Sequence, residues 1–137
     1  YSNSEVYKMT RARETSENAR QAKAWVNFDG YASSSPYTIA NSGIRSAFNV
    51  SSVVDEGAGD YTINFDTPFS DNNWVMCGTA KFLQASDHNV PNVGLYRNAT
   101  TASVMTTSSA RVVMGYYNGS HVKHDVEIAM LTFFHDG

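Results

Sequence analysis

The run from Asp60 to Phe65 constrains the fold of this chain more than any other stretch. Within it, Tyr61, Ile63 and Phe65 alternate strictly with polar residues. Alternation with period two is the signature of a β-strand that buries one face and exposes the other. The sequence therefore predicts a fold built from half-buried strands.

Two further apolar runs flank this strand, at residues 44–54 and 74–82, and turn-forming residues separate the three. The large apolar residues of the first run share one parity: Ile44, Phe48, Val50 and Val54. Side chains of one parity lie on one face of a strand, so we expect all four in the core. Three consecutive antiparallel strands are the natural interpretation.

The first two of these strands are joined by a turn that contains Gly57 and Gly59. Glycine adopts the positive φ angles that a hairpin needs. The acids of the turn, Asp55, Glu56 and Asp60, are expected to keep its tip in water.

Another strand is predicted before the central stretch, at residues 22–28. Its small and aliphatic residues share one parity, whereas Trp25 stands on the polar parity. A tryptophan in that position would either cover the edge of a sandwich or pack against another chain.

Further strands are predicted in the second half, at residues 93–97 and 111–117. The Asn-Gly pair at residues 118–119 is a strong signal for a two-residue hairpin. Its partner strand is expected to begin near His121 and to extend toward Phe134.

The last apolar run, residues 125–134, carries apolar side chains on both parities. A strand with one face in water needs them on one parity only. We therefore expect one face in the domain core and the other against a neighbouring subunit. The alternative is a central strand covered on both faces within one domain.

About eight or nine short strands with Gly, Asn and Pro turns predict an all-β fold, an antiparallel β-sandwich of jelly-roll type, over residues 22–137. No helical periodicity is present in that range.

Residues 1–21 are polar and charged. A heptad pattern begins there at Met9, Ala12, Ser16, Ala19 and Lys23. The segment would be the end of a coiled-coil shaft, an extended strap along a neighbouring chain or a loose linker.

Composition and charge exclude several classes of protein. With 137 residues and 42% hydrophobic content, the chain can build one core without disulfides. The net charge of −3 argues against general nucleic-acid binding. No apolar run has the length of a membrane span, and no secretion signal is recognisable. Because the chain begins at Tyr1 and not at Met, we expect it to be a piece of a longer protein.

Two segments of the chain carry a resemblance to a known family. They are A-W-V-N-F-D-G from Ala24 to Gly30 and I-R-x-x-x-N-V-S-S-V-x-D-x-G-x-G-D-Y-T-I-N-F from Ile44 to Phe65. There the chain resembles the carboxy-terminal tip domain of bacteriophage tail fibres, and it is most similar to fibres of tailed phages that infect marine bacteria, including cyanobacteria. The resemblance covers residues 22–82 and includes no catalytic signature.

The resemblance implies a homotrimeric, receptor-binding domain at the end of a fibre, located in the virion after assembly in the host cytoplasm. Its partner would be a host-surface glycan or an outer-membrane receptor, with no nucleic acid and no membrane insertion. The protein is expected to be no enzyme and to need no cofactor. Two alternatives stay open: a structural domain for virion decoration or fibre assembly, and a polysaccharide depolymerase.

Few residues suggest chemistry. Cys77 is the only cysteine, and its apolar neighbours predict a buried structural thiol. His121 and His124 are three residues apart, a spacing that sends them to opposite faces of a strand. No metal site is predicted within one chain. The alternative is a metal held by a ring of identical histidines around the threefold axis of a trimer. The acids cluster at turns, where solvated turn formers are expected rather than a glycosidase pair.

Aromatic and polar residues near the predicted loops are the candidates for ligand binding. Sugars stack on aromatic rings, and polar groups fix their orientation. The alternative for any one tyrosine is a half-buried core residue. The candidate ligand-binding residues are Asp87, His88, Asn89, Tyr96, Tyr116, Tyr117, Asn118 and His121.

Overall fold

A computed structural model describes residues 2–84, 90–97 and 99–137, without the side chains of residues 14–20. The described part is mostly β. Its elements follow in the order α1 (Asn3–Arg20), β1 (Ala24–Phe28), β2 (Ile44–Phe48), β3 (Val50–Gly57), β4 (Asp60–Phe65), β5 (Val75–Lys81), β6 (Asn92–Leu95), α2 (Thr101–Val104), β7 (Ser109–Tyr117), β8 (His121–Lys123) and β9 (Ile128–Phe134).

The strands form two antiparallel sheets that share one core. The first sheet has the order β2-β1-β9-β5, and the second has the order β3-β4-β7-β6, with β8 also paired to β7. Aromatic rings meet between the sheets: the ring centroids of Phe65 and Phe133 lie 4.9 Å apart, and those of Phe28 and Tyr61 lie 5.0 Å apart. Burying one such side chain contributes roughly 1.5–3 kcal/mol. The predicted antiparallel, all-β sandwich is confirmed.

The central hairpin is also confirmed. β3 and β4 pair across the predicted turn, where Gly57 has a φ of 139° and Gly59 a φ of 60°. Tyr61, Ile63 and Phe65 are buried, as their alternation predicts.

The run at residues 44–54 forms two strands rather than one. Asn49 lies between them with a φ of 53°, a left-handed conformation that Asn tolerates better than most residues. Because the chain passes there from the first sheet to the second, the side-chain alternation restarts. Phe48 is 54% exposed and Val53 fully buried, while Val54 is only half-buried. Placing Phe48 and Val54 in the core was therefore wrong.

Two strand pairings differ from the predicted ones. β5 does not continue the meander beside β4; it pairs with β9 of the other sheet, with Gly78 opposite Leu131. β8 ends at Lys123, and the chain then passes to the first sheet as β9 instead of extending the hairpin strand to Phe134. In both cases the pairing partner lies far away in the sequence, so local alternation does not identify it.

β9 is a central strand of the first sheet, between β1 and β5. Ala129, Leu131 and Phe133 are buried in the core, whereas Met130 on the outer face is 39% exposed. One face of β9 thus packs in the core, and its outer face is only partly covered within the described residues.

Helix α1 begins with a capping box that joins Ser2 and Glu5. The Glu5 backbone N–H donates to the Ser2 hydroxyl over 3.3 Å, and the Ser2 backbone N–H donates to the Glu5 carboxylate over 3.1 Å. Residues 2–13 are exposed. The segment is therefore helical rather than an extended strap. The helix ends at Arg20, so Lys23, the last position of the heptad pattern, lies outside it. A coiled-coil shaft stays a prediction.

One helical turn, α2, lies within the predicted all-β range. The Ser103 hydroxyl donates to the Thr100 carbonyl over 2.9 Å, and Val104 is buried. The prediction for residues 22–137 was that no segment has helical periodicity, and this turn does not contradict it, because four residues are too few to produce a periodic pattern.

Candidate functional site

The two sheets present different outer faces. The first sheet exposes large apolar side chains there: Trp25, Phe48, Val75 and Met130. On the second sheet, the alternation of β7 buries Val112 and Met114 and turns Arg111 and Val113 outward. The outer face of the second sheet carries the aromatic and charged residues described below.

Arg111 connects two neighbouring residues on this face. Its Nε lies 3.0 Å from Oδ1 of Asp60, and its Nη2 lies 3.0 Å from Oδ2, a bidentate ion pair. The guanidinium carbon also lies 3.9 Å from the ring centroid of Tyr96, within the range of a cation–π contact. The hydrogen bond with Asp60 raises the pKa of Arg111. The ring of Tyr96 thus lies against a fixed positive charge.

Asp60 is buried, contrary to its expected place at a solvated hairpin tip. Its side chain is only 4% exposed, and Lys123 approaches it with Nζ 3.5 Å from Oδ2. The correction has a physical reason, because β7 and β8 bring two cations beside the start of β4. A buried carboxylate is stable only with such partners.

A hollow of about 120 Å³ opens beside Tyr96. It is lined by Tyr96, Arg97, Val113, His121 and Lys123. The Lys123 ammonium lies 5.5 Å from the centroid of the Tyr96 ring. Within residues 2–84, 90–97 and 99–137, neither Arg97 nor His121 forms an ion pair with a carboxylate.

The structure brings two of the predicted ligand-binding residues together at the hollow, and two more lie in the adjoining β7–β8 hairpin. Tyr96 and His121 line the hollow. Tyr117 lies opposite His121 in the β7–β8 ladder and is 72% exposed. Asn118 follows in the turn, where its backbone N–H donates to the Ser120 carbonyl over 2.9 Å.

Other predicted candidates lie elsewhere or outside the described residues. Tyr116 faces the interior, with ring centroids 6.4 Å from Phe82 and 5.8 Å from His124. Its role is packing, the alternative considered for any tyrosine. The predicted candidates Asp87, His88 and Asn89 lie outside the part of the chain that the structure describes.

The sequence interpretation missed the cations of this site: Arg97, Arg111 and Lys123. A signal for two of them was present. Arg111 alternates with buried residues of β7, and Lys123 has the same parity as His121 on β8. Only the pairing of β8 with β7 shows that these two parities meet on one face.

The histidines and the cysteine take different places. His121 lines the outer hollow, while His124 lies beside Phe82, so the two diverge as their spacing predicts. Among the described residues, no group of three or more His, Cys, Asp or Glu side chains could hold a metal ion. Cys77 is exposed, not buried; it has the outward parity of β5, opposite Thr132.

Comparison with protein-family models gave no matching family, and comparisons with curated proteins and with solved structures gave no match either. None of the helices in the described ranges is long and apolar enough to cross a membrane. The fold and the site together define a two-sheet, antiparallel β module with a cationic, aromatic hollow on one face.

Proposed function

We propose that this protein is the distal domain of a bacteriophage tail fibre and that it binds a glycan or protein receptor on the host surface. The observation that carries the proposal is the open hollow beside Tyr96, whose ring is held by Arg111 at 3.9 Å. A fixed aromatic ring surrounded by hydrogen-bonding side chains is typical of sugar-binding sites. The resemblance of residues 24–30 and 44–65 to fibre tips supports the same function.

The proposal includes a homotrimer of jelly-roll domains in the virion, associated through the outer face of the first sheet. Trp25 and Phe48 are cross-strand partners on that face, and both are exposed. Paired exposed aromatic residues are typical of protein interfaces. Three copies joined there would hold three hollows on one particle, and weak single sites would then give firm attachment.

A second candidate function is a structural domain for fibre assembly or virion decoration. The exposed apolar side chains on the first sheet favour it, since they suit contact with other virion proteins as well as with copies of this chain. In that case the hollow beside Tyr96 would have no cellular ligand.

Binding to intact cells tests the proposal. Fluorescently labelled protein is incubated with a panel of marine bacteria, including cyanobacteria, and compared with the variants Tyr96→Ala and Tyr31→Ala. Tyr31 is a matched control because it is exposed but outside the hollow. We expect saturable binding to some strains, a loss of about tenfold in affinity for Tyr96→Ala, which corresponds to about 1.4 kcal/mol, and no change for Tyr31→Ala. Absence of binding to any strain would favour the structural function.

A further inference from the structure

We propose that the hollow beside Tyr96 binds the acidic group of an anionic sugar, such as a carboxylate, sulfate or phosphate. This inference rests on the proposed function and names the chemistry of its ligand. The juxtaposition that carries it is an aromatic ring bordered by Arg97, Arg111 and Lys123.

Positive charge is concentrated here although the whole chain is negative, with a net charge of −3. Arg111 and Lys123 share one buried carboxylate, that of Asp60. The other acid whose charge acts on Arg111 is Glu56, whose carboxylate accepts a hydrogen bond from Thr62 over 2.9 Å. Thr62 pairs with Arg111 from β4, on one side of β7. Tyr96 lies on the other side of β7, next to β6, where its backbone N–H donates to the Arg111 carbonyl. Counted over residues 2–84, 90–97 and 99–137, the hollow therefore keeps an excess of positive charge.

The three cations of the hollow have different roles in ligand binding because their surroundings differ. Arg111 is held on both sides, by Asp60 and by the Tyr96 ring, so it supplies a fixed field. Arg97 and Lys123 have exposed side chains that line the opening and can reach a ligand. An acidic group would bind between these two, while the apolar face of its sugar ring stacks on Tyr96.

The size of the hollow sets the size of the bound unit. At about 120 Å³, it accommodates one charged group, and the adjoining sugar ring would extend along Tyr96, which with Arg97 also lines a second hollow of about 300 Å³. Gly94 is paired with Val113, which lines the hollow, and a Cβ at Gly94 would meet no atom within 4 Å. A larger residue there would narrow the site without a clash in the fold.

The test is an NMR titration of the isotope-labelled protein with four probes: glucuronic acid, glucose 6-sulfate, glucose 6-phosphate and neutral glucose. We expect saturable shifts of amides around Tyr96 and His121 with at least one acidic sugar, and binding at least about tenfold weaker for glucose, a difference of roughly 1.4 kcal/mol. The three acidic probes identify which group is preferred. Equal binding of glucose, or shifts confined to other parts of the protein, would overturn the inference.

Substitutions then vary the charge and the shape of the hollow separately. Arg97→Gln and Lys123→Gln should each weaken binding of the acidic sugar about tenfold, the loss expected for one hydrogen bond to a charged group. Arg13→Gln and Lys8→Gln remove the same charges from exposed positions of α1 and should change nothing. Gly94→Val keeps every charge and should weaken binding by narrowing the hollow. Losses of equal size in the α1 controls would contradict a local site.

The experiments distinguish a failure of the acidic-ligand proposal from a failure of the receptor-binding proposal. If the protein binds cells and the Arg97 and Lys123 variants bind them equally well, the acidic ligand is wrong and receptor binding stands. If acidic sugars bind at the hollow but no cell is bound, the ligand chemistry stands and the adhesion function is wrong.

Discussion

Arg111 holds the buried carboxylate of Asp60 through two hydrogen bonds of 3.0 Å each, across the β4–β7 pair of strands. This ion pair fixes the guanidinium against Tyr96. One contact thus links the stability of the second sheet to the geometry of the candidate binding site.

Removing Asp60 should destabilise the protein. Asp60→Ala leaves Arg111 without its bidentate partner at a partly buried position, so we expect the free energy of unfolding to fall by about 2 kcal/mol. Urea denaturation checks the value. The control is Asp66→Ala, which removes an exposed acid from the next turn and should cost less than about 0.5 kcal/mol. Equal effects of the two substitutions would show that the ion pair adds no stability.

Two glycines with similar φ angles should respond differently to alanine. Gly59 has a φ of 60° and Gly119 a φ of 76°. At Gly119 a Cβ meets nothing within 4 Å, whereas at Gly59 it would clash with the Met114 carbonyl oxygen. Gly119→Ala should cost about 1 kcal/mol for the left-handed conformation. Gly59→Ala should cost at least about 3 kcal/mol or prevent folding, because backbone must also move. Thermal and urea unfolding measure the stability of the two variants. Equal losses of stability would contradict the close approach of Gly59 to the Met114 carbonyl.

His135 and Asp71 should make stability depend on pH. The His135 side chain is 1% exposed, and its Nε2 lies 2.8 Å from the Asp71 carboxylate. This hydrogen bond raises the pKa of His135 above its ordinary value of 6.5 and lowers the pKa of Asp71 below 3.8. The histidine contribution is complete below pH 6.5 and is lost as pH rises through the raised pKa. The aspartate contribution is complete above pH 3.8 and is lost as pH falls through the lowered pKa.

The variant Asp71→Asn isolates this pair. The difference in unfolding free energy between the wild-type protein and Asp71→Asn should be largest between pH 3.8 and 6.5 and should shrink on either side. Urea denaturation at several pH values measures it, with Asp66→Asn as the control. A difference that does not vary with pH would contradict the assignment.

The outer face of the first sheet should control self-association. If copies of the chain meet there, Trp25→Lys places a charge in the interface and should convert trimers to monomers while the circular dichroism spectrum keeps its β character. Ile39→Lys is the control, since Ile39 is also exposed, at 56% against 38% for Trp25, but lies in a turn outside both sheets. Sedimentation at micromolar concentration measures both. A wild-type protein that is monomeric under these conditions would contradict the trimer.

The sequence predicts the class of fold because alternation is local. Tyr61 and Ile63 are buried where their parity places them. The predictions are wrong where a single residue ends a strand, or where a strand partner distant in the sequence determines which way a side chain points. Asn49 ends β2 with a positive φ, and no apolar pattern shows that break. Cys77 has apolar neighbours, yet its outward parity is set by the pairing of β5 with β9.

The site was predictable only in part, for a related reason. Tyr96 and His121 belong to residue types that bind sugars, so composition and loop position were enough to nominate them. Arg111 and Lys123 acquire a role only because β6, β7 and β8 are neighbours. Asp60 looked like a solvated turn residue, because the cations that pair with it are about 50 and 60 residues away in the chain.

Competition with infection tests the central claim most directly. On the proposed function, cells that bind the purified protein are preincubated with increasing concentrations of it, and the rate at which a phage that encodes this sequence adsorbs to them is measured. The account predicts that the wild-type protein lowers the adsorption rate in a saturable manner, that Tyr31→Ala does the same, and that Tyr96→Ala requires about tenfold more protein, equivalent to roughly 1.4 kcal/mol of binding free energy. An adsorption rate that saturating wild-type protein leaves unchanged would contradict it.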